Sequence, residues 1–109
     1  MATGGKAYAI KDVLSLAAVN KIRFSNRVAN YLAKILDCGT GERSVIVEHV
    51  CNVLGRLETA QYHNTSRKLN VPDADIYYID FDDEKWYVKF AVVDEEIQIH
   101  TCCIDGDFH

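Results

Sequence analysis

The chain has 109 residues, 49% of them hydrophobic, with one Pro and six Gly, which fits one domain with a modest core and is too apolar for a disordered segment. No apolar run approaches the roughly 18–20 residues of a membrane span, and the start, Met1-Ala2-Thr3-Gly4-Gly5-Lys6, lacks the basic-then-apolar order of a secretory signal. The net charge of −4 is uneven: residues 1–70 hold ten Lys or Arg against five Asp or Glu (+5), and residues 71–109 hold two against eleven (−9). Such bipolarity leaves nucleic acid open to the basic half, because Lys and Arg supply most of the binding energy to a phosphate backbone, and a basic partner open to the acidic half.

Residues 1–7 read as a flexible leader, 8–57 as a helical part and 58–104 as a sheet part of one domain. From Ala9 to Ala18, Ile10, Val13, Leu14, Ala17 and Ala18 recur at helical spacing. Lys21 to Ser25 is a turn or an extended link. Asn26 to Leu36 is a second helix with Val28, Tyr31, Leu32, Ile35 and Leu36 on one side, capped by Ser25 or Asn26 and stopped at Cys38-Gly39. A third helix is expected from Ser44, its candidate cap, to Leu57, with Val47, Val50, Cys51, Leu54 and Leu57 on its apolar face. Glu58 to Val71 has no period and is either a solvated loop or the start of a strand with a functional edge; it holds Gln61, Tyr62, His63, Asn64, Thr65, Ser66, Arg67 and Lys68.

Three short strands follow, within Asp75 to Thr101. Alternation sends Trp86, Val88, Phe90 and Val92 to one face and Tyr87 and Lys89 to the other; Ile97 and Ile99 oppose Gln98 and His100 in the same way. With Asp94-Glu95 as a two-residue hairpin tip, Lys89 is expected opposite His100 and Ala91 opposite Gln98. One face is then apolar, and the other carries Tyr87, Lys89, Gln98 and His100, a set that can bind an anion and move protons. Asp82 to Lys85 makes the other hairpin turn, and the acidic turns blunt the hairpins against edge pairing. Asp105 to His109 is a ragged tail. Trp86 and Phe90 read as core, and His49 as a structural residue of the third helix. The order of elements makes an α+β fold, with N-terminal helices on one face of a C-terminal antiparallel sheet.

Cys38, Cys51, Cys102 and Cys103 include no Cys-x-x-Cys pair and fit thiols of a reducing, cytoplasmic compartment. His100, Cys102 and Cys103 do not match the spacing of common structural zinc sites. No metal and no cofactor are expected.

In order and residues, the chain resembles the motility quorum-sensing regulator toxins, bacterial ribonucleases of toxin–antitoxin systems with a RelE-like fold. The matching pieces are Cys51-Asn52-Val53 before Leu57, Tyr62-His63-Asn64-Thr65-Ser66 for the family's Phe-Tyr-Lys-Ser, Asp75-Ile76-Tyr77 for Asp-Val-Tyr, and Trp86-Tyr87-Val88-Lys89 for Val-Tyr-Leu-Lys. They span about Tyr8 to Cys103. The family's basic residue falls on His63, its Gln on Ala74, and its late Lys near Cys102, with His100 two positions earlier. A ribonuclease domain of a delivered polymorphic toxin, which uses the same class of fold, is a related possibility. The resemblance implies a metal-independent endoribonuclease that cuts mRNA or tRNA by 2′-OH attack and is restrained by an antitoxin or immunity protein, with no DNA contact of its own. It brings His63 next to the strands, so that His63 and His100 form a base–acid pair, Lys89 stabilises the charged phosphorane, Tyr87 orients the phosphate, and Asn64, Arg67, Lys68 and Gln98 hold RNA. The competing reading is a non-catalytic acidic immunity or antitoxin protein that covers a basic toxin.

Overall fold

The computed structural model describes residues 5–107, which contain three α-helices and five strands in an α+β arrangement. The elements are α1 (Ile10–Ala18), β1 (Ile22–Phe24), α2 (Asn26–Leu36), α3 (Arg43–Leu54), a 3-10 turn (Leu57–Thr59), β2 (Gln61–Ser66), β3 (Ala74–Phe81), β4 (Glu84–Val93) and β5 (Glu96–Ile104). The sheet order is β1-β5-β4-β3-β2. Residues 1–4 of the expected leader, and Phe108 and His109 of the expected tail, lie outside the described residues.

Local signals set α2. The Ser25 hydroxyl accepts from the Val28 N–H at 3.4 Å, Lys34 sits in the last turn, and Val28, Ala29, Leu32 and Ala33 form its buried stripe. Its stop is Asp37 rather than Gly39: Asp37 takes the left-handed conformation (φ 55), and the Cys38 N–H donates back to the Ala33 carbonyl. Ser44 does not cap α3. The helix starts one residue earlier, and Glu42 at the cap position turns its carboxylate back to the Gly39 N–H at 2.7 Å. α3 ends at Leu54, not Leu57, and buries Ile46, Val50, Val53 and Leu54; Leu57 enters the core from the 3-10 turn.

The sheet is mixed rather than purely antiparallel, because β1 pairs in parallel with β5 (Ile22 with Ile97, Phe24 with Ile99) from within Lys21 to Ser25, the stretch read as a turn or an extended link between helices. Ile22 is fully buried there, and the Ile97 N–H donates to the Lys21 carbonyl at 2.8 Å. β2 occupies Gln61–Ser66 on the opposite edge, so this polar segment is a strand and not a solvated loop. The end of the leader is held, not flexible. Buried Asp75 accepts from the Ala7 N–H at 2.8 Å, the Tyr8 N–H at 3.0 Å and the Thr65 hydroxyl at 2.6 Å, and the Gly5 carbonyl accepts from Arg67 at 2.8 Å.

All three helices pack on one sheet face, where Tyr77, Ile79, Trp86, Val88, Phe90, Ile97, Ile99 and Cys102 meet Val13, Leu32, Val50 and Leu54. Ala74, Ile76, Ala91 and Cys103 are also buried but stand outside that core, on the opposite face. Among the described residues no helix covers that second face; its small side chains stand among taller polar and aromatic neighbours. Both hairpin tips, Asp82-Asp83 (φ 55 and 63) and Asp94-Glu95 (φ 52 and 61), are two-residue turns with left-handed backbone at both positions.

Candidate functional site

The open face takes its pattern from two β-bulges. In β2, Tyr62 pairs with Tyr77 and Asn64 with Ile76, which leaves His63 as an extra residue. In β5, Ile99 pairs with Phe90 and Thr101 with Lys89, which leaves His100 extra. Each bulge resets the alternation, so that two successive residues, His63-Asn64 and His100-Thr101, stand on the open side. The expected partner of Ala91 is observed, Gln98, whereas Lys89 lies opposite Thr101 rather than His100 because the bulge shifts the register by one. The same shift sends Cys102 into the core and Cys103 to the open face, so the two thiols diverge. Among the described residues no three His, Cys, Asp or Glu side chains converge on a point that could hold a metal ion.

Three rings cross the open face edge to face: His63 on Tyr78, with centroids 5.2 Å apart, and Tyr78 on Tyr87 at 5.6 Å. The next row runs from Asn64 through Ile76 and Lys89 to Thr101. Lys89 and His100 then line a cleft of about 230 Å³ with Ser66, Lys68, Val71 and Pro72, where the 67–73 connection closes one side. Burial first, and the charge of Lys89 second, hold the His100 imidazole below its ordinary pKa, so its neutral form is favoured at neutral pH. Burial, with smaller contributions from Tyr78 and Cys103, pushes the Tyr87 phenol above 10 and keeps it an O–H donor.

The structure therefore brings Lys89, His100 and Lys68 to one cleft, with Gln98 in the neighbouring hollow beyond His100, while Tyr87 stands outside the cleft, two residues along β4 from Lys89 on the same face. It does not bring His63 to His100. The two lie on the same face but on β2 and β5, three strand spacings or about 14 Å apart, too far to serve one phosphodiester as base and acid. Asn64 lies in the same row as Lys89 but two strands away, on β2. Arg67 is committed elsewhere: it donates to the Gly5 carbonyl and pairs with Asp73 at 3.6 Å, so it ties the leader down instead of facing the cleft. His49 packs against Trp86 (4.7 Å) and Phe81 (5.8 Å) under the sheet, as expected of a structural residue. Sequence reasoning passed over Ser66, Tyr78 and Arg23. Alternation from buried Tyr77 places Tyr78 on the polar side, whereas Arg23 enters only through the parallel pairing of β1, which carries no local signal.

No helix among the described residues is long and apolar enough to cross a membrane. Comparison with protein families, with curated proteins and with solved structures finds no match to this chain.

Proposed function

We propose that the chain is a metal-independent endoribonuclease of the RelE-like fold class, a cytoplasmic toxin restrained by a protein partner, with its site on the open sheet face. The observation that carries this reading is the cleft in which a depressed-pKa His100 stands beside cationic Lys89 and Lys68, with Tyr87 further along the same strand as Lys89. A phosphate seated on Lys89 has the two proton carriers on either side. Neutral His100 takes the 2′-OH proton, the 2′-oxygen bonds to phosphorus, and the phosphorus–O5′ bond breaks as the Tyr87 O–H protonates the departing oxygen. The products are a 2′,3′-cyclic phosphate and a 5′-hydroxyl. Lys89 and Lys68 stabilise the added charge of the phosphorane. His63 and Tyr78, together with Asn64, take the neighbouring bases, since stacking on exposed rings is tolerant of sequence and contributes about 1–3 kcal/mol per base. The family resemblance at Asp75-Ile76-Tyr77 and Trp86 to Lys89 supports the same assignment.

The test is cleavage of single-stranded RNA by purified protein, with end-group analysis, beside His100→Ala, Lys89→Ala and Tyr87→Phe. Rate losses of about 10²–10⁴ for His100→Ala are expected from the removal of a general base, with a smaller loss for His63→Ala and with circular dichroism unchanged. Intact RNA in the presence of folded wild type would overturn the enzyme. It would favour the partner-binding reading, for which the exposed Asp82 to Glu84 and Asp94-Glu95 tips are the natural contact.

A further inference from the structure

β1 stops at Phe24, so β5 beyond Ile99 has no strand neighbour on that side; α2 begins two residues later and runs along the uncovered end of β5. His100 stands at the junction this creates. It lines the cleft that holds Lys68 and Lys89, and also a hollow of about 460 Å³ that holds Arg23, Ser25 and Gln98. It further contacts the narrow seam beside Arg27 and Tyr31. From there Arg27, Asn30, Tyr31 and Lys34, at helical spacing of three and four residues, line another hollow of about 240 Å³ along one side of α2. Arg27, Asn30 and Lys34 are exposed. In a chain of net charge −4, cations from distant parts of the sequence thus follow one path: Lys68, Lys89, Arg23, Arg27 and Lys34. Two acidic groups stand along it, Glu96 on Arg23 at 3.1 Å and Asp107 accepting from the Tyr31 hydroxyl. Glu96 marks the border at Arg23, whereas Asp107 stands within the stripe, on the Tyr31 hydroxyl between Arg27 and Lys34.

We infer that this stripe of α2 is a second phosphate-binding stretch, and that single-stranded RNA continues from the Lys89–His100 cleft over the end of β1 onto Arg27 and Lys34. The inference rests on the RNA reading above and extends it to the nucleotides outside the cut. Seven residues of helix span about 10 Å, enough for backbone contacts but with only Asn30 and Tyr31 between the cations. The contacts are therefore to phosphate, and they are blind to sequence.

The experiment uses a labelled 2′-O-methyl oligonucleotide of about 20 nucleotides, which lacks the attacking hydroxyl and so separates binding from cleavage. Its affinity is measured against salt concentration for the wild type and for the double variant Arg27→Ala with Lys34→Ala; both substitutions are exposed and suit a helix. Loss of two phosphate contacts lowers the slope of log affinity on log salt by about 1.4, at roughly 0.7 per contact for a single strand, and does so equally for oligonucleotides of different sequence. An unchanged slope overturns the inference even if the wild type cuts RNA. A reduced slope in a protein that cuts nothing upholds the binding stretch and removes the catalysis. Wild type that binds no oligonucleotide overturns both and leaves the stripe to an acidic protein.

Discussion

Replacing Asp75 by Ala tests whether this buried carboxylate anchors the start of the chain. Asp75 is wholly inaccessible and accepts from Thr65, Ala7 and Tyr8 at 2.6, 2.8 and 3.0 Å. Hydrogen bonds to a charged group contribute roughly 1.5–3 kcal/mol each when desolvated, but the three are not equal here. Ala7 is exposed and its N–H returns to water, and Thr65 keeps a contact with the Tyr62 hydroxyl. The Thr65 and Tyr8 bonds dominate, and a net loss of about 3 kcal/mol is expected. For a domain of this size that corresponds to a fall in Tm of about 12 °C, and to a drop of about 1–3 M in the urea midpoint for slopes of 1–3 kcal/mol/M. Hydrogen exchange at Ala7 and Tyr8 should accelerate with it. Asp75→Asn, which keeps an acceptor oxygen but points a donor at a donor, should fall between the two. A loss below about 1 kcal/mol, with exchange at Ala7 and Tyr8 unchanged, would refute the anchoring role.

Four further outcomes are expected. His100 should titrate below 6.5 by NMR, and Lys89→Met should raise its pKa without reaching 6.5, because burial is the larger cause; no movement would separate the two residues. Since His49 and His100 are both held below their ordinary value, the unfolded chain takes up protons first as pH falls. Stability is then full above about pH 7 and declines as pH falls through 6.5 towards the folded pKa values, readable as a urea midpoint that drops on acidification; a flat profile between pH 7.5 and 5.5 would contradict it. Glu95→Gly, at φ 61 in a turn that favours glycine, should raise the urea midpoint by an amount worth roughly 0.5–1 kcal/mol. Tyr77→Phe should be neutral or slightly stabilising, since the buried Tyr77 hydroxyl has no hydrogen-bond partner among the described residues; a loss above about 1 kcal/mol would reveal one.

Legibility followed the range of the interactions. α2 is readable in its bounds, Asn26 to Leu36, because its cap and period are local, although its left-handed stop falls at Asp37 rather than at Cys38-Gly39. The β4–β5 hairpin is readable from its tip to Phe90 and Ile99, because two-residue turns fix register outward from the turn. Reading fails where partners are distant or backbone irregular. β1 is three residues long and exists by virtue of β5, more than seventy positions away. Arg67 looks like a free cation until the Gly5 carbonyl is found beside it. Tyr87, Lys89, Gln98 and His100 are correctly placed on one face, but the distance of His63 from His100 depends on the sheet order, which alternation does not encode.

The bulges constrain how the two histidine positions can change over evolutionary time. A residue outside the ladder can be exchanged for another at little structural cost, so the identities of His63 and His100 are not set by strand pairing. Removing the position has the same limited reach. A deletion at His100 would close the bulge and leave Thr101 opposite Lys89 and Cys102 opposite Val88 in the core, and a deletion at His63 would likewise leave Asn64 opposite Ile76 and Thr65 beside the Asp75 anchor. Each site can therefore change in identity or be lost outright with the frame of the sheet intact, whereas a deletion at a laddered position of β2 or β5 would send the side chains that follow it to the opposite face.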